Sequence, residues 1–260
     1  MDWTDDGIVL SARKHGESSA IAQLLTKCHG RHAGLVRGGI GRKLRGVLQP
    51  GNEVIGTWRA RLAEHLGTFT VEPTRARAAG FLSDSGRLAG LSAACAIAEV
   101  VLPEREPHLG AYEGMLALLD GIENSDSWPQ MYVQWEAGLL TELGFGLDLS
   151  SCARTGAETG LGYVSPRSGR AVSVSGAGSY RDRLLRLPTF LVASGRGVGD
   201  SAPTVSEELH GAITDGLTLT GYFLEQHVLT DRNPALPPAR IRLVERFSRS
   251  TTTSSAISPP

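Results

Sequence analysis

The chain has 260 residues, 41% of them hydrophobic and 20% charged, with a formal net charge of −1, enough for one large domain or two or three small ones. No window approaches the roughly 18 uncharged apolar residues that a membrane-crossing helix needs, and the apolar stretch from Leu91 to Leu102 is interrupted by Ser92 and Glu99. The acidic start Met1-Asp2-Trp3-Thr4-Asp5-Asp6 lacks the basic and then apolar signature of a secretory signal, so a cytoplasmic location is expected. Three scattered cysteines, Cys28, Cys95 and Cys152, exclude a disulfide scaffold.

From Trp3 to Val71 the chain reads as five short strands, Asp6 to Arg13, Ser19 to Cys28, His32 to Arg37, Asn52 to Ala60 and His65 to Thr70, separated by Gly and Pro breaks. A longer connection between the third and fourth strands is the pattern of an OB-type barrel, with an SH3-like barrel as the competing topology. That connection, Gly38-Gly39-Ile40-Gly41-Arg42-Lys43-Leu44, reads as a flexible basic loop. It is not a nucleotide-binding phosphate loop, which needs Gly-Lys followed by Ser or Thr after its first glycine and four further residues.

Past Glu72-Pro73 the pattern becomes helical, over Leu82 to Leu102, Pro107 to Ile122 and Pro129 to Leu143, with Pro107 in a tolerated first-turn position and Gly144 as a C-terminal stop. The aromatic pair Tyr132 and Trp135 fits a core stripe. Residues 147–182 are Gly- and Ser-rich and carry one hairpin, Tyr163-Val164-Ser165 against Arg170-Ala171-Val172. Helical pattern returns over Val205 to Leu229 and Pro238 to Phe247, and 248–260 reads as a disordered Ser/Thr/Pro tail. The fold class is therefore α+β: a five-stranded OB-type barrel over 1–79, then a helical domain over 80–247 with an irregular insertion at 147–182.

The small net charge hides three blocks. Residues 1–80 carry twelve Lys and Arg against seven Asp and Glu, 81–149 carry two against eleven, and 150–260 carry twelve against nine. A locally positive surface attracts polyanions whatever the far side carries, so the first block is the candidate nucleic-acid surface, with Arg37, Arg42, Lys43 and Arg45 at its centre and Lys14, Arg59 and Arg61 as further members. Trp58 and Phe69 are candidate stacking rings, read more readily as core. No zincin His-Glu pair, Gly-x-Ser-x-Gly elbow or dinucleotide fingerprint is present, so no active site is visible, and an enzyme using His65 or Cys95 is the weakest reading. Cys28, His29 and His32 do not suggest a metal site, because neighbouring strand residues face opposite ways and no fourth ligand is evident.

The opening Trp3-Thr4-Asp5-Asp6-Gly7-Ile8-Val9-Leu10, the segment Gly30-Arg31-His32-Ala33-Gly34-Leu35-Val36-Arg37-Gly38-Gly39 and Leu48-Gln49-Pro50-Gly51 resemble the RecO family of bacterial DNA-repair proteins. Gly144-Phe145-Gly146-Leu147-Asp148-Leu149-Ser150-Ser151-Cys152 and Tyr163-Val164-Ser165-Pro166-Arg167-Ser168-Gly169-Arg170-Ala171-Val172 extend the match over nearly the whole chain. The resemblance implies a non-enzymatic recombination mediator. Such a protein binds single- and double-stranded DNA, anneals complementary strands, works with RecR, engages the C-terminal tail of single-strand-binding protein and assists RecA loading. Many members hold zinc through two Cys-x-x-Cys pairs; this chain has Thr155 where the second cysteine would stand and no cysteine after Cys152, so no zinc or other cofactor is expected. An RNA-binding OB module and a protein-binding adaptor are the alternatives. The only cations available for an acidic tail in 81–149 are Arg87 and Arg105.

Overall fold

The computed structural model describes residues 1–81, 83–192, 206–229 and 235–254. β1 (Asp2–His15), β2 (Ser19–Thr26), β3 (Gly30–Val36), β4 (Glu53–Arg59) and β5 (Thr68–Arg75) close into a barrel in the order β1-β2-β3-β5-β4. The long first strand makes closure possible: Gly7 to His15 pair with β2, Asp2 to Ile8 pair with β4, and the register shifts between Val9 and Ser11. Such a bulge bends a strand so that it can serve two neighbours. A single parallel pairing, Leu35 with Thr68, completes the circle. With a helix between β3 and β4, this is the OB-type barrel of the sequence reading, and the SH3-like alternative is set aside.

Alternation supplies the interior. Ala20, Ala22 and Leu24 of β2, Val54 and Trp58 of β4, and Phe69 and Val71 of β5 point inward and are buried, as the period of two requires. Trp58 and Phe69 are 2% and 3% exposed, so both are core rings and neither is a stacking platform. His32 shares this interior, edge-on to Trp3 at 5.0 Å and to Trp58 at 4.7 Å. Neither of its ring nitrogens has a hydrogen-bond partner. Burial, with the nearby Arg105 charge, lowers its pKa to about 4, because a dry site disfavours the charged imidazolium.

Two expectations are corrected here. The Gly-rich basic segment is not a loop throughout, since Arg42–Val47 form a helix, α1. Its Leu44 and Val47, with Ile40 just before it, pack on the barrel core, which outweighs the helix cost of Gly46. Cys28 and His29 lie in the β2–β3 turn rather than on a strand; Asp5 holds the Cys28 amide at 2.7 Å and His29 Nδ1 at 3.0 Å.

Among the described residues two compact units are distinguished, one within 1–126 and 237–240, the other within 127–236 and 241–254. The first holds the barrel, α2 (Ser85–Val101) and α3 (Leu109–Asn124); Leu82, the expected start of this helical region, lies outside the described residues. Asp84 caps α2 by accepting from the amides of Gly86 and Arg87 at 2.9 and 3.0 Å. Arg77, 2% exposed, ties β5's end to α3 and β4 through Glu53 at 2.6 Å, Asp120 at 2.7 Å and Glu123 at 2.9 Å. Arg13 reaches Glu99 of α2 at 2.9 Å, and Arg31 Nε donates to the Leu102 carbonyl at 2.8 Å.

The second unit contains α4 (Trp128–Glu142), a three-stranded sheet of order β7-β6-β8, and α7 (Ser206–Phe223). In that sheet β6 (Leu161–Val164) pairs with β7 (Ala171–Ser173), which is the expected hairpin, and the third strand is β8 (Leu185–Arg186). Short helices α5 (Val174–Ala177) and α6 (Thr189–Val192) flank it. The last helix, α8 (Pro238–Ser254), runs through 248–254, which the sequence placed in a disordered tail; 255–260 lie outside the described residues. No helix among the described residues is long and apolar enough to cross a membrane.

Candidate nucleic-acid interface

Five of the seven cations singled out in the sequence, Lys14, Arg37, Arg42, Lys43 and Arg45, gather at one end of the barrel. Register places Lys14 opposite Ala20, Ala20 opposite Val36, and Arg37 immediately beyond. The turn that follows bonds back to the β1–β2 turn through the Ile40 amide and the Ser18 carbonyl at 3.2 Å and delivers the chain into α1. Asn52, 4% exposed, fixes the other end of α1: its Nδ2 donates to the carbonyls of Gly46 and Val47 at 2.9 and 3.1 Å, and its Oδ1 accepts from the Ala78 amide at 3.1 Å. Carbonyls that a helix terminus leaves unsatisfied are thereby bonded.

Two concavities flank α1. One, of about 540 Å³, is lined by Lys14, Ser11, Ala12, Arg45 and Pro50 among others. The second, of about 650 Å³, is lined by Arg42, Arg45, Ala76, Ala78 and Leu88 among others. Arg45, Ile40 and Gln49 belong to both, so Arg45 stands on the ridge between them. Lys14, Arg37, Arg42, Lys43 and Arg45 are all exposed, and none makes an ion pair or a side-chain hydrogen bond among the described residues. The first turn of α1 contains no carboxylate and two cations, the sign a helix start disfavours. Folding does not account for them.

Arg59 and Arg61 stand apart from α1, at the β4–β5 connection. Arg59 lies 3.9 Å from Asp2 with both side chains at least 70% exposed, a pair that contributes little in water; Arg61 is exposed and unpaired among the described residues. This connection meets the end of β3 where the Leu35 amide donates to the Gly67 carbonyl at 3.0 Å, but Arg59 itself sits opposite Asp2 at the start of β1, at the other end of that strand from Lys14. The sequence reading passed over the connection's own leucines, Leu62 and Leu66, which are 48% and 39% exposed. The Arg-Leu-x-x-x-Leu spacing at residues 61, 62 and 66 is the available signal.

The two cations of the acidic segment 81–149, Arg87 and Arg105, are already engaged. Arg87 pairs with Asp84 at 3.2 Å and Asp126 at 2.9 Å and donates to the Ile122 carbonyl. Arg105 donates to the carbonyls of Ala63 and His65. Cys95 is 1% exposed and burial pushes its thiol up to about 12, so it is no nucleophile at neutral pH.

The zinc implied by the resemblance does not fit the residues present. Around Cys152 Sγ stand the Ser173 amide at 3.2 Å and Ser173 Oγ at 3.3 Å, with Thr155 Oγ1 3.5 Å from Ser173 Oγ. A Cβ on Gly176 would lie 3.0 Å from Cys152 Sγ. One thiol and two hydroxyls do not form the four-ligand nitrogen and sulfur set of structural zinc. Among the described residues no group of three His, Cys, Asp or Glu is placed to hold a metal.

Comparison with known proteins agrees with this architecture. A family model described as "Recombination protein O N terminal" matches residues 1–77, and one described as "Recombination protein O C terminal" matches residues 82–237. A DNA repair protein RecO from Rhodospirillum centenum is 52% identical over 262 residues, covering 100% of each chain. Relatives of the same name from Rhodospirillum rubrum and Cereibacter sphaeroides are each 49% identical and cover 96% of this chain and 97% and 99% of their own. The barrel, the helical region and the full-length similarity together make this chain a member of the RecO family of DNA repair proteins.

Proposed function

We propose that the chain is a DNA-binding recombination mediator that grips phosphates at the α1 end of its barrel, holding single- and double-stranded DNA without reading sequence. The observation that carries this is the set of exposed cations without partners, Lys14, Arg37, Arg42, Lys43 and Arg45, joined at the loop rim by Arg59 and Arg61. An OB barrel usually binds oligonucleotides on its β2–β3 face and at its β1–β2 and β4–β5 loops; Lys14 borders the first of these loops, and Arg59 and Arg61 border the second. Neutralising phosphates releases counterions, which makes affinity fall with salt. Annealing follows from the same property, since two complementary strands repel until their charge is screened and they are held close. It needs no acid, base or nucleophile, and the proposal assigns none. On the family resemblance, the partners are RecR, single-strand-binding protein and, downstream, RecA, acting in the cytoplasm at the nucleoid. The acidic tail of single-strand-binding protein would need cations other than Arg87 and Arg105.

Strand annealing between complementary oligonucleotides coated with single-strand-binding protein tests the proposal, comparing the native chain with Arg42→Ala/Lys43→Ala/Arg45→Ala across a salt titration. The native chain anneals. The triple variant loses most of that activity, and its log–log salt slope for single strands is shallower by about 2, at roughly 0.7 per phosphate contact. Equal annealing by both would remove α1 from the interface. Absence of DNA binding by the native chain would favour the protein-adaptor reading, and a preference for ribose over deoxyribose strands would favour the RNA module.

A further inference from the structure

The β4–β5 connection, residues 60–67, inverts the usual relation between a loop and solvent. Its backbone is bonded inward at nearly every carbonyl. The Met1 ammonium donates to Ala60 at 2.8 Å, the His65 amide to Leu62 at 3.2 Å, and Trp58 Nε1 to Leu66 at 3.0 Å. Arg105 donates to Ala63 and to His65, the latter at 2.9 Å, and the Leu35 amide bonds Gly67. The two leucines meanwhile stay 48% and 39% exposed, four residues apart. Single exposed leucines are ordinary, but a loop immobilised by this many contacts gains nothing for folding from holding two of them outward.

Two features of the backbone show what maintaining this loop requires. Arg105 has φ 63°, the only non-glycine residue with positive φ among those described, a conformation L residues enter at a cost of about 1–2 kcal/mol. It is held there by its amide bond to the Arg31 carbonyl at 2.8 Å and by the guanidinium contacts to the loop. Gly67, at φ 66°, lies so close to Trp58 that a Cβ would sit 2.5 Å from the indole, so only glycine lets the loop return across the ring. Exposed Arg59 and Arg61 precede the leucines, and Glu64, between Leu62 and Leu66, is the loop's one carboxylate.

Resting on the reading of the barrel as a DNA-binding module, we propose that this loop is a pre-formed apolar probe for nucleobases. Leu62 and Leu66 pack on the faces of unstacked bases while Arg59 and Arg61 hold the flanking phosphates. Aliphatic side chains used against base steps are an established way to hold a strand out of its stack, and they are indifferent to sequence because every base has an apolar face. An annealing protein gains from keeping bases apart from their own neighbours until a complementary strand arrives. Arg105 is a positioning residue for the loop and touches no DNA itself.

The test uses the full chain and a single-stranded oligonucleotide containing one 2-aminopurine, with anisotropy reporting binding and the fluorophore reporting unstacking. Native protein binds with a salt-dependent affinity and raises 2-aminopurine emission. Leu62→Ser/Leu66→Ser keeps the salt slope, loses the emission rise and weakens affinity about fivefold, as loss of partial burial of two leucines predicts. Arg105→Ala, with both leucines in place, loses most of the emission rise and speeds amide exchange at 60–67. An emission rise that survives the double substitution overturns the probe while leaving DNA binding intact, as does native binding with no emission change. If the native chain fails to bind DNA at all, the underlying reading falls with it. Leucine-dependent binding of an acidic peptide, with oligonucleotide binding unaltered by the substitutions, would reassign the loop to a protein partner.

Discussion

On the side of the barrel that meets α2 and α3, Arg13, Arg75 and Arg77 each reach a carboxylate of those helices, and Arg31 reaches the Leu102 carbonyl just past the end of α2. On the side of α1, Lys14, Arg37, Arg42, Lys43 and Arg45 reach nothing among the described residues. Both sets come from the same basic block of sequence. The difference lies in what the chain places opposite them: the acidic 81–149 segment supplies Glu99, Asp120 and Glu123 to the first set, and nothing supplies the second. A basic segment is thus two things at once, a structural joint and an open surface, and charge counting alone cannot divide it.

The largest expected effect breaks the joint. Arg77→Met removes a guanidinium bonded to three carboxylates in a nearly dry position, where those bonds outweigh burial and raise its pKa. Urea denaturation should show a loss of about 3 kcal/mol, the low end for breaking a buried pair, since Asp120 and Glu123 keep some solvent. The α1 triple variant, by contrast, should stay within about 0.5 kcal/mol per site. Were the triple variant the less stable of the two, the division into joint and surface would be wrong.

How much of this division was legible can be stated residue by residue. The five strands and the alternation that fills the barrel were readable because period two is a local property, and α2 to α4 because their apolar spacing is. The closure by β1 was not, since strand pairing across fifty residues leaves no local trace. α1 was missed because Gly38, Gly39, Gly41 and Gly46 signal a loop, although Ile40, Leu44 and Val47 already stood at helical spacing. The candidate cations are all exposed, but the sequence gives no sign that Arg13 and Arg31 have partners while Arg37 and Arg42 have none among the described residues. Arg105, one of only two cations in the acidic segment, is a clamp on a loop forty residues upstream, which nothing local in the sequence shows.

A second experiment sharpens the comparison inside the barrel, where His32 is buried with no partner for either nitrogen. Its folded pKa of about 4 lies below the ordinary 6.5, so between those values the unfolded chain binds more protons than the folded one. Stability is therefore complete above about pH 6.5, falls as pH drops through that window, and is about 3 kcal/mol lower by pH 4 from this group. His32→Phe, which keeps a ring among Trp3, Trp58 and Phe69, should flatten the urea midpoint over pH 6.5 to 4. If the slope persists in that variant, the acid sensitivity comes from elsewhere.

The smallest effect concerns Cys152 in the second unit, where hydrogen bonds replace what a metal would do. Ser173 Oγ donates to Cys152 Sγ and accepts from the Gly176 amide at 3.0 Å, capping α5. Burial would push the Cys152 thiol up, but the side chain and amide of Ser173, with Thr155 and the Arg154 amide, bring it down to about 6. Ser173→Ala removes the cap and one thiol donor together, so it should cost about 1 kcal/mol and move the thiol titration upward. A metal chelator should leave the melting midpoint of the native chain where it was. These two results belong together. A site cross-linked by metal would respond strongly to the chelator and weakly to the hydroxyl, whereas a site closed by Ser173 must respond in the opposite order. A chelator-induced drop in the native midpoint would return metal to this position and remove Ser173 from its role.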